Sequence, residues 1–156
     1  MNDLTLFILY SMDSARDNWD KASESIRHPC KVVQIPATPG ERLLDQKKRL
    51  ELFSALINDT AIDTDWYGIL YADEYLSAPL AESLEICFSV RSMDVVICFK
   101  RIRQMVLEKP QVISVEYTPR FFRKSVKLTS GMLPANWEHM IVEKLLDGFL
   151  EEELRR

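Results

Sequence analysis

Short apolar runs alternate with longer amphipathic stretches along this chain. Continuous apolar runs of five to seven residues are typical of strands that are buried on both faces of a sheet. Four such runs predict strands, at residues 4–10 (LTLFILY), 31–35 (KVVQI), 66–71 (WYGILY) and 94–100 (DVVICFK). Two further strands are predicted at residues 112–117 and 121–127, on either side of a Thr-Pro step.

Apolar residues three and four positions apart predict helices between and after these strands. The predicted helices begin at residue 13 or 14 and end near 27, and then cover residues 41–58, 78–90 and 133–154. Strands that alternate with helices favour an α/β fold with a largely parallel sheet. We therefore expect a single domain over residues 1–156, with a mostly parallel central sheet flanked by helices.

Composition narrows the class of protein without naming a function. The 156 residues are 47% hydrophobic and 28% charged, which is ordinary for a globular protein, and the net charge of −4 argues against a general affinity for nucleic acid. The three cysteines are widely spaced and odd in number, which predicts reduced thiols. No apolar run reaches membrane-spanning length, and the first run lacks the basic segment of a signal peptide, so we expect a cytoplasmic protein.

Candidate chemistry lies at the end of the strand predicted at residues 66–71. The apolar run ends at Tyr71, and two adjacent carboxylates, Asp73 and Glu74, follow it. Acids at the carboxyl end of a buried strand lie where α/β sheets bind ligands, and they commonly present a divalent cation to a phosphate. The alternative is a solvated turn that leads into the next helix.

The stretch around these acids resembles the inverting family 2 glycosyltransferases, which have the glycosyltransferase A fold. A helix arginine, Asp65-Trp66, an apolar strand and an x-Ala-Asp-Glu-Tyr-Leu turn follow one another in this order. The resemblance implies a nucleotide-diphospho-sugar donor, with a UDP-sugar expected, and a cation, Mn²⁺ or Mg²⁺, on the diphosphate. Asp73 falls on the second aspartate of the family's Asp-x-Asp motif, while Tyr71 replaces the first aspartate. Glu74 has no fixed metal role in the family, but we expect it to compensate for the missing acid as a further metal ligand.

The same resemblance assigns further donor contacts. Arg49 matches the helix arginine that helps to hold the donor in the family. The alternative, given equal weight, is that Arg49 belongs with Lys47 and Lys48 to a solvent-exposed basic face of the helix. Gln34, at the end of the second predicted strand, is a candidate for contacting the nucleobase. Ser11 follows the first strand and faces the predicted crevice.

A general base is expected late in the chain. Residues 136–140 (NWEHM) lie where the family has a Glu-Asp pair at the start of a helix, so the resemblance implies Glu138 as the base, with His139 as the base itself or as its partner. The alternative is that Glu138 is a first-turn glutamate that the helix dipole favours.

Basic and aromatic residues alternate at residues 119–124. The resemblance places this segment after the acceptor region, so Arg120, Arg123 and Lys124 are candidates for binding a phosphorylated or nucleic-acid acceptor. A strand with one solvated and one buried face would give the same pattern. Two functions follow: a metal-dependent, inverting glycosyltransferase, or a non-catalytic binding protein on a degenerate glycosyltransferase fold.

Overall fold

The computed structural model describes residues 4–10, 21–36, 46–90 and 92–154. Residues 21–24 are helical. The remaining elements are, in chain order, β1 (Leu4–Tyr10), β2 (Cys30–Pro36), α1 (Gln46–Asp59), β3 (Trp66–Tyr71), β4 (Glu74–Leu76), α2 (Ala78–Phe88), β5 (Val95–Val106), β6 (Lys109–Arg123), a 3₁₀ turn (Trp137–His139), β7 (Val142–Lys144) and β8 (Leu150–Leu154).

The strands form one mixed sheet in the order β2-β1-β3-β6-β5-β8-β4, with β7 beside β5. Strand β1 is parallel to β2 and β3, whereas β6 is antiparallel to both β3 and β5. Strands β7 and β8 are parallel to β5, and β4 is antiparallel to β8. The sheet is therefore mixed rather than mostly parallel: parallel pairings join β2, β1 and β3 and join β5 to β7 and β8, whereas the pairings of β6 with β3 and β5 and of β4 with β8 are antiparallel.

A long hairpin explains the mixed sheet. Only Leu107 and Glu108 join β5 to β6, and so short a connection requires antiparallel pairing. Both residues have left-handed φ values, 51° and 66°, as a type I′ turn requires, but the turn lacks the Asn-Gly signature of such turns. The sequence therefore predicted two strands where the structure has one, β6, and a strand ending at Lys100 where β5 continues.

The Thr-Pro step inside β6 is accommodated by a bulge. Val96 pairs with Phe121 and Ile97 pairs with Pro119, so Arg120 is an extra residue opposite this step of β5. Bulges are among the few places where a sheet interior tolerates proline, and they redirect the neighbouring side chains. The bulge consequently changes which face of the sheet Arg120 reaches.

The helix predicted at residues 133–154 is wrong. This part of the chain contains the 3₁₀ turn and the short strands β7 and β8. The acids of β8 lie along β5, where Arg101 pairs with Glu151, and Glu151 is only 1% exposed. Pairing between these distant charged residues stabilises a strand in a segment whose apolar spacing mimics a helix.

The core has two layers, one on each face of the sheet. Alternate residues of β1 and β3 point to opposite sides, which is why these runs are apolar throughout. One layer packs against α2 and includes Leu6, Ile8, Trp66, Leu70, Leu80 and Phe121. The other packs against α1 and includes Phe7, Leu9, Phe53, Ile57, Tyr67 and Phe122. The predicted strands β1, β2 and β3 are confirmed, as is the burial of Leu70.

Helix α2 begins as its sequence predicts. The Ser77 hydroxyl accepts a hydrogen bond from the Leu80 backbone N–H at 3.4 Å, and Pro79 lies in the first turn. Within the part of the chain that the structure describes, neither α1 nor α2 is long and apolar enough to cross a membrane.

The packing of β3 against β6 makes a stability prediction at Gly68. A Cβ atom at this position would lie 2.5 Å from Cε1 of Phe121, whose side chain is fully buried, so the ring or the strand would have to shift. We expect Gly68→Ala to lower the free energy of unfolding by about 1–3 kcal/mol in urea denaturation. Gly131→Ala is the matched control, because a Cβ there would meet nothing within 4 Å. Equal effects of the two substitutions would contradict the close approach.

Candidate functional site

The carboxyl ends of β1 and β3 lie side by side. Leu9 pairs with Tyr71, and the Ala72 backbone N–H donates to the Leu9 carbonyl at 2.9 Å. From β1 the chain runs to β2 on one side, and then to β3 on the other side of β1. The connections therefore diverge between β1 and β3, which is the topological switch point where open α/β sheets bind their ligands.

Glu74, just beyond this edge, is a buried carboxylate held by two cations. Its side chain is 0% exposed. Arg120 donates from Nη1 to Oε1 at 2.5 Å and from Nη2 to Oε2 at 2.7 Å, and Lys100 Nζ lies 2.6 Å from Oε2. Bidentate guanidinium–carboxylate pairs are the strongest of such contacts and fix both partners in one orientation.

The same carboxylate closes the turn that carries Asp73. The Tyr71 backbone N–H donates to Glu74 Oε1 at 2.7 Å, across residues 72 and 73. Arg120 also donates to the Ile69 carbonyl at 3.2 Å, so it binds the strand before the turn as well as the carboxylate after it. The conformation that presents Asp73 at the switch point is therefore fixed by a buried ion pair.

The charges around Glu74 control its protonation. Burial alone would raise the pKa of Glu74, but the charges and hydrogen bonds of Arg120 and Lys100 outweigh burial and lower it to about 2. Glu152 lies 3.6 Å from Lys100 and has its pKa raised, first by burial and then by the negative charges of Glu74 and Asp73. Two neighbouring carboxylates at this edge thus have pKa values shifted in opposite directions, that of Glu74 downward and that of Glu152 upward.

A cleft of about 620 Å³ opens beside this cluster on the α1 face of the sheet. Its charged lining residues are Lys100, Glu116, Arg120 and Glu152, and Thr118 contributes a hydroxyl. Its apolar walls include residues from α1, β3, β5 and the 131–133 segment, among them Leu50, Ile69, Ile102, Met132 and Leu133. A volume of this size with a few converging polar groups is typical of a small-molecule site.

Tyr71 joins the cleft to the ion cluster. Its ring lies 5.1 Å from Cζ of Arg120 and 5.5 Å from Nζ of Lys100, within the range of cation–π attraction. Tyr71 also lines the cleft. Asp73 is half-buried in the adjoining turn, and its charge acts on Glu152 at the cleft.

The other predicted donor residues are dispersed. Gln34 is exposed on β2 and pairs with Ile8 of β1. Ser11 lies outside the described residues, directly after β1, and the side chain of Arg49 also lies outside them. Leu50, the next residue of α1, lines the cleft.

Glu138 and His139 lie near the opposite end of β3. They are exposed and belong to the 3₁₀ turn rather than to the start of a long helix. Ile141, two residues later, donates from its backbone N–H to Asp94 Oδ2 at 2.9 Å. The Asp94 carbonyl accepts from the Arg123 backbone N–H, and Arg123 pairs with Trp66, the first residue of β3. Tyr71 is separated from Trp66 by the length of β3, roughly 17 Å. The structure does not bring these two candidates to the described lining of the cleft.

The basic segment of β6 serves the interior of the fold. Arg120 is 4% exposed and bound to Glu74, and Arg123 donates to the carbonyls of Met93 and Val90 while its guanidinium lies 4.4 Å from the Trp66 ring centroid. Only Lys124 of the three predicted acceptor contacts is exposed. The alternation that suggested a basic surface here instead reflects a bulged strand whose arginines bind carbonyls and a carboxylate.

Glu74, predicted as a metal ligand, is engaged on both oxygens by Arg120 and Lys100. Among the described residues, no group of three or more His, Cys, Asp or Glu side chains could hold a metal ion. A cation at this edge would therefore take one carboxylate, Asp73, and its other ligands from phosphate and water, which is an arrangement that Mg²⁺ often accepts.

Lys100 and Glu152 are site residues that the sequence did not predict. Lys100 lies at the end of an apolar run, and Glu152 lies in the segment that was predicted to be helical. The two meet because β8 pairs with β5, at a separation of about fifty residues in the chain. No local pattern in the sequence signals that pairing.

Comparison with known proteins gives distant structural likenesses only. No protein-family model matches the sequence, and no curated protein does. A glycosyltransferase involved in glycosylation of the major capsid of PBCV-1 is 14% identical, with a TM-score of 0.44 and 76% of this chain covered. The A197 protein from STIV is 17% identical, with a TM-score of 0.37 and 80% covered.

A third likeness is to a Bacillus anthracis structure assigned as a glucose-1-phosphate thymidylyltransferase, in complex with sucrose. It is 10% identical, has a TM-score of 0.39, and is matched over 96% of this chain and 89% of its own. This chain spans 60% and 65% of the length of the PBCV-1 and STIV proteins. Likenesses this distant carry no weight for the activity of the chain.

Removing the buried carboxylate tests its role in the fold. We expect Glu74→Ala to lower the free energy of unfolding by about 3–5 kcal/mol, because it leaves Arg120 buried without its carboxylate partner and leaves Lys100 with only Glu152, at 3.6 Å. Glu82→Ala is the matched control, since Glu82 pairs with Arg27 on the exposed surface and should cost less than about 1 kcal/mol. Urea denaturation measures both, and equal losses would contradict the assignment.

The same carboxylate predicts how stability depends on pH. The pKa of Glu74 in the folded protein, about 2, lies below its ordinary value of 4.5. Its contribution is therefore complete above pH 4.5 and is lost as the pH falls towards 2. Glu74→Gln should flatten the stability profile in this window, whereas Glu82→Gln should leave its slope unchanged. A wild-type slope in Glu74→Gln would show that other carboxylates cause the acid loss.

Proposed function

We propose that this chain binds a nucleotide-diphospho-sugar, with a UDP-sugar as the expected donor, at the carboxyl edge of β1 and β3 and transfers the sugar to an acceptor hydroxyl. The observation that carries the proposal is the switch point between these strands, where a turn closed by Glu74 holds Asp73 two residues after Tyr71, a lining residue of the cleft. The resemblance of residues 66–76 to family 2 glycosyltransferases supports the same placement.

A divalent cation, Mn²⁺ or Mg²⁺, is part of the proposal. Asp73 would contribute one carboxylate, and the donor's diphosphate would supply further oxygen ligands. Such a cation would balance charge on the leaving diphosphate. Arg49, at the start of the helix that lines the cleft, is the candidate for contacting the phosphates directly, and Ser11 and Gln34 are candidates for the nucleoside.

Glu152 is our proposed general base. In an inverting transfer the acceptor oxygen attacks the anomeric carbon, the bond from that carbon to the diphosphate breaks, and the acceptor proton passes to a carboxylate. Glu152 lines the cleft, its side chain is 19% exposed, and its raised pKa favours proton acceptance. Glu138 and His139, which the family resemblance implies, are the competing candidates.

A second function, donor or nucleotide binding without catalysis, is favoured by one observation. Tyr71 replaces the first acid of the motif, and its ring lies against Lys100 and Arg120. An aromatic ring in that position suits stacking on a base or sugar and contributes no metal ligand. The two functions differ in whether sugar is transferred or only bound.

Asp73→Asn tests donor binding. We expect the substitution to weaken Mn²⁺-dependent binding of UDP-glucose at least tenfold in isothermal titration, because the amide loses the charge that holds the cation. Asp63→Asn is the matched control, since Asp63 is an exposed aspartate just before the opposite end of β3. If Asp73→Asn binds UDP-glucose as tightly as the wild type, the donor binds elsewhere. If the wild type binds UDP-glucose equally well with and without Mn²⁺, the proposed role of the cation is wrong.

Three substitutions separate the candidate bases. Loss of a positioned base typically slows transfer by about 10²–10⁴-fold. We expect Glu152→Gln to show this loss in a sugar-transfer assay while donor binding persists, and Glu138→Gln and His139→Ala to remain active. The reverse pattern would return the role to the 3₁₀ turn. Donor binding without transfer by the wild-type chain, across a panel of acceptors, would support the binding function instead.

A further inference from the structure

The outer part of β6 is an exposed strand with one bare edge. Residues 109–117 are all exposed, although most of them are in regular pairing with β5. Strand β3 pairs with β6 only at residues 121–123. Within the described part of the chain, the backbone edge of residues 109–116, which we call the edge segment, therefore faces away from β5 without a strand beside it.

The edge segment is apolar as well as bare. Val112 and Ile113 are each 48% exposed, and Val115 is 57% exposed. A two-stranded ribbon on its own is only marginally stable in water. A long exposed edge with apolar side chains is also a template for pairing with another strand. The hairpin is therefore a part of the described surface where added strand pairing would stabilise the fold.

The sequence of the edge segment, KPQVISVE, is complementary to itself when it runs antiparallel. Centred between Val112 and Ile113, the pairing sets apolar against apolar and polar against polar. Lys109 comes opposite Glu116, Pro110 opposite Val115, Gln111 opposite Ser114, and Val112 opposite Ile113. Opposite charges and branched apolar residues directly across an antiparallel pair are the stabilising combinations.

We propose that two copies of this chain associate through the edge segment, with β6 of one copy pairing antiparallel to β6 of the other about a two-fold axis. The pairing joins two sheets into one and places Lys109 of each copy opposite Glu116 of the second copy. A two-fold contact uses the same edge in both copies, so it closes at a dimer and does not propagate.

Features of the edge segment limit the pairing to this short stretch. Pro110 has no backbone N–H to donate, so the pairing weakens at that end. Ile102 pairs with Ser114 and Arg103 pairs with Val112, so Ile113 is an extra residue in β6 and forms a bulge. This bulge adds local twist close to the two-fold axis. Both features discourage longer edge-to-edge association. Glu116 also lines the cleft, so the second copy would lie next to the cleft opening.

Charge reversal and charge exchange test the proposal. Sedimentation equilibrium should give twice the 18.2 kDa of one chain for the wild type. Lys109→Glu or Glu116→Lys alone places like charges opposite each other at both ends of the pairing and should raise the dimer dissociation constant by about tenfold or more. The double exchange Lys109→Glu with Glu116→Lys should restore the wild-type constant. Lys127→Glu, an exposed lysine outside the edge segment, is the matched control.

Amide hydrogen exchange provides a second measurement on the unmodified chain. Protection of residues 109–116 should rise with protein concentration, while protection in β1 should stay constant. The proposal would be overturned if the wild type stayed monomeric at high concentration. It would also be overturned if neither Lys109→Glu nor Glu116→Lys changed the dimer dissociation constant. A double exchange that is no tighter than either single variant would contradict it as well.

Discussion

The buried Glu74 carboxylate is the constraint on which the candidate site depends. A buried charge is tolerated only when it is paired and hydrogen-bonded, and Glu74 meets this requirement through Arg120, Lys100 and the Tyr71 backbone N–H. These three partners come from β6, β5 and β3, and Glu74 itself begins β4. One carboxylate thus joins four strands at the edge where Asp73 emerges.

The mixed sheet brings two kinds of chemistry together. Its parallel part, β2-β1-β3, creates the switch point, and its antiparallel part supplies cations from the long β5–β6 hairpin. The bulge at Arg120 is what lets a central strand deliver a guanidinium to the end of β3. Beyond the bulge β6 alternates regularly, so the neighbouring Phe121 and Phe122 point to opposite faces and are buried one in each core layer.

The parallel half of the fold could be predicted from the sequence because burial on both faces is visible in each short run. Strands β1 and β3 are apolar at nearly every position, and Ser77 and Pro79 mark the start of α2. The C-terminal segment could not be predicted in this way. The spacing of Ile141 and Leu145 fits a helix, whereas the strand depends on Glu151 meeting arginines of β5 that are about fifty residues away.

The residues of the candidate site likewise fall into those with a local signal in the sequence and those without one. Asp73 and Tyr71 could be located because they end a buried run, which is a local signal. The roles of Lys100, Arg120 and Glu152 depend on pairings between distant strands and on a bulge, and neither leaves a pattern in the sequence. From the sequence, Arg120 was expected to be an exposed basic residue that binds an acceptor. In the structure it is buried and pairs with Glu74.

The central claim is that nucleotide and cation meet at the turn that Glu74 holds. Paramagnetic broadening of backbone amide signals by Mn²⁺ tests this most directly, because it reports which residues lie near the ion. With UDP-glucose present, sub-stoichiometric Mn²⁺ should broaden the signals of residues 71–73 and of Glu152 first, and without nucleotide the broadening should be much weaker. Broadening centred on Glu138 and His139, or none near residue 73 under either condition, would contradict the account.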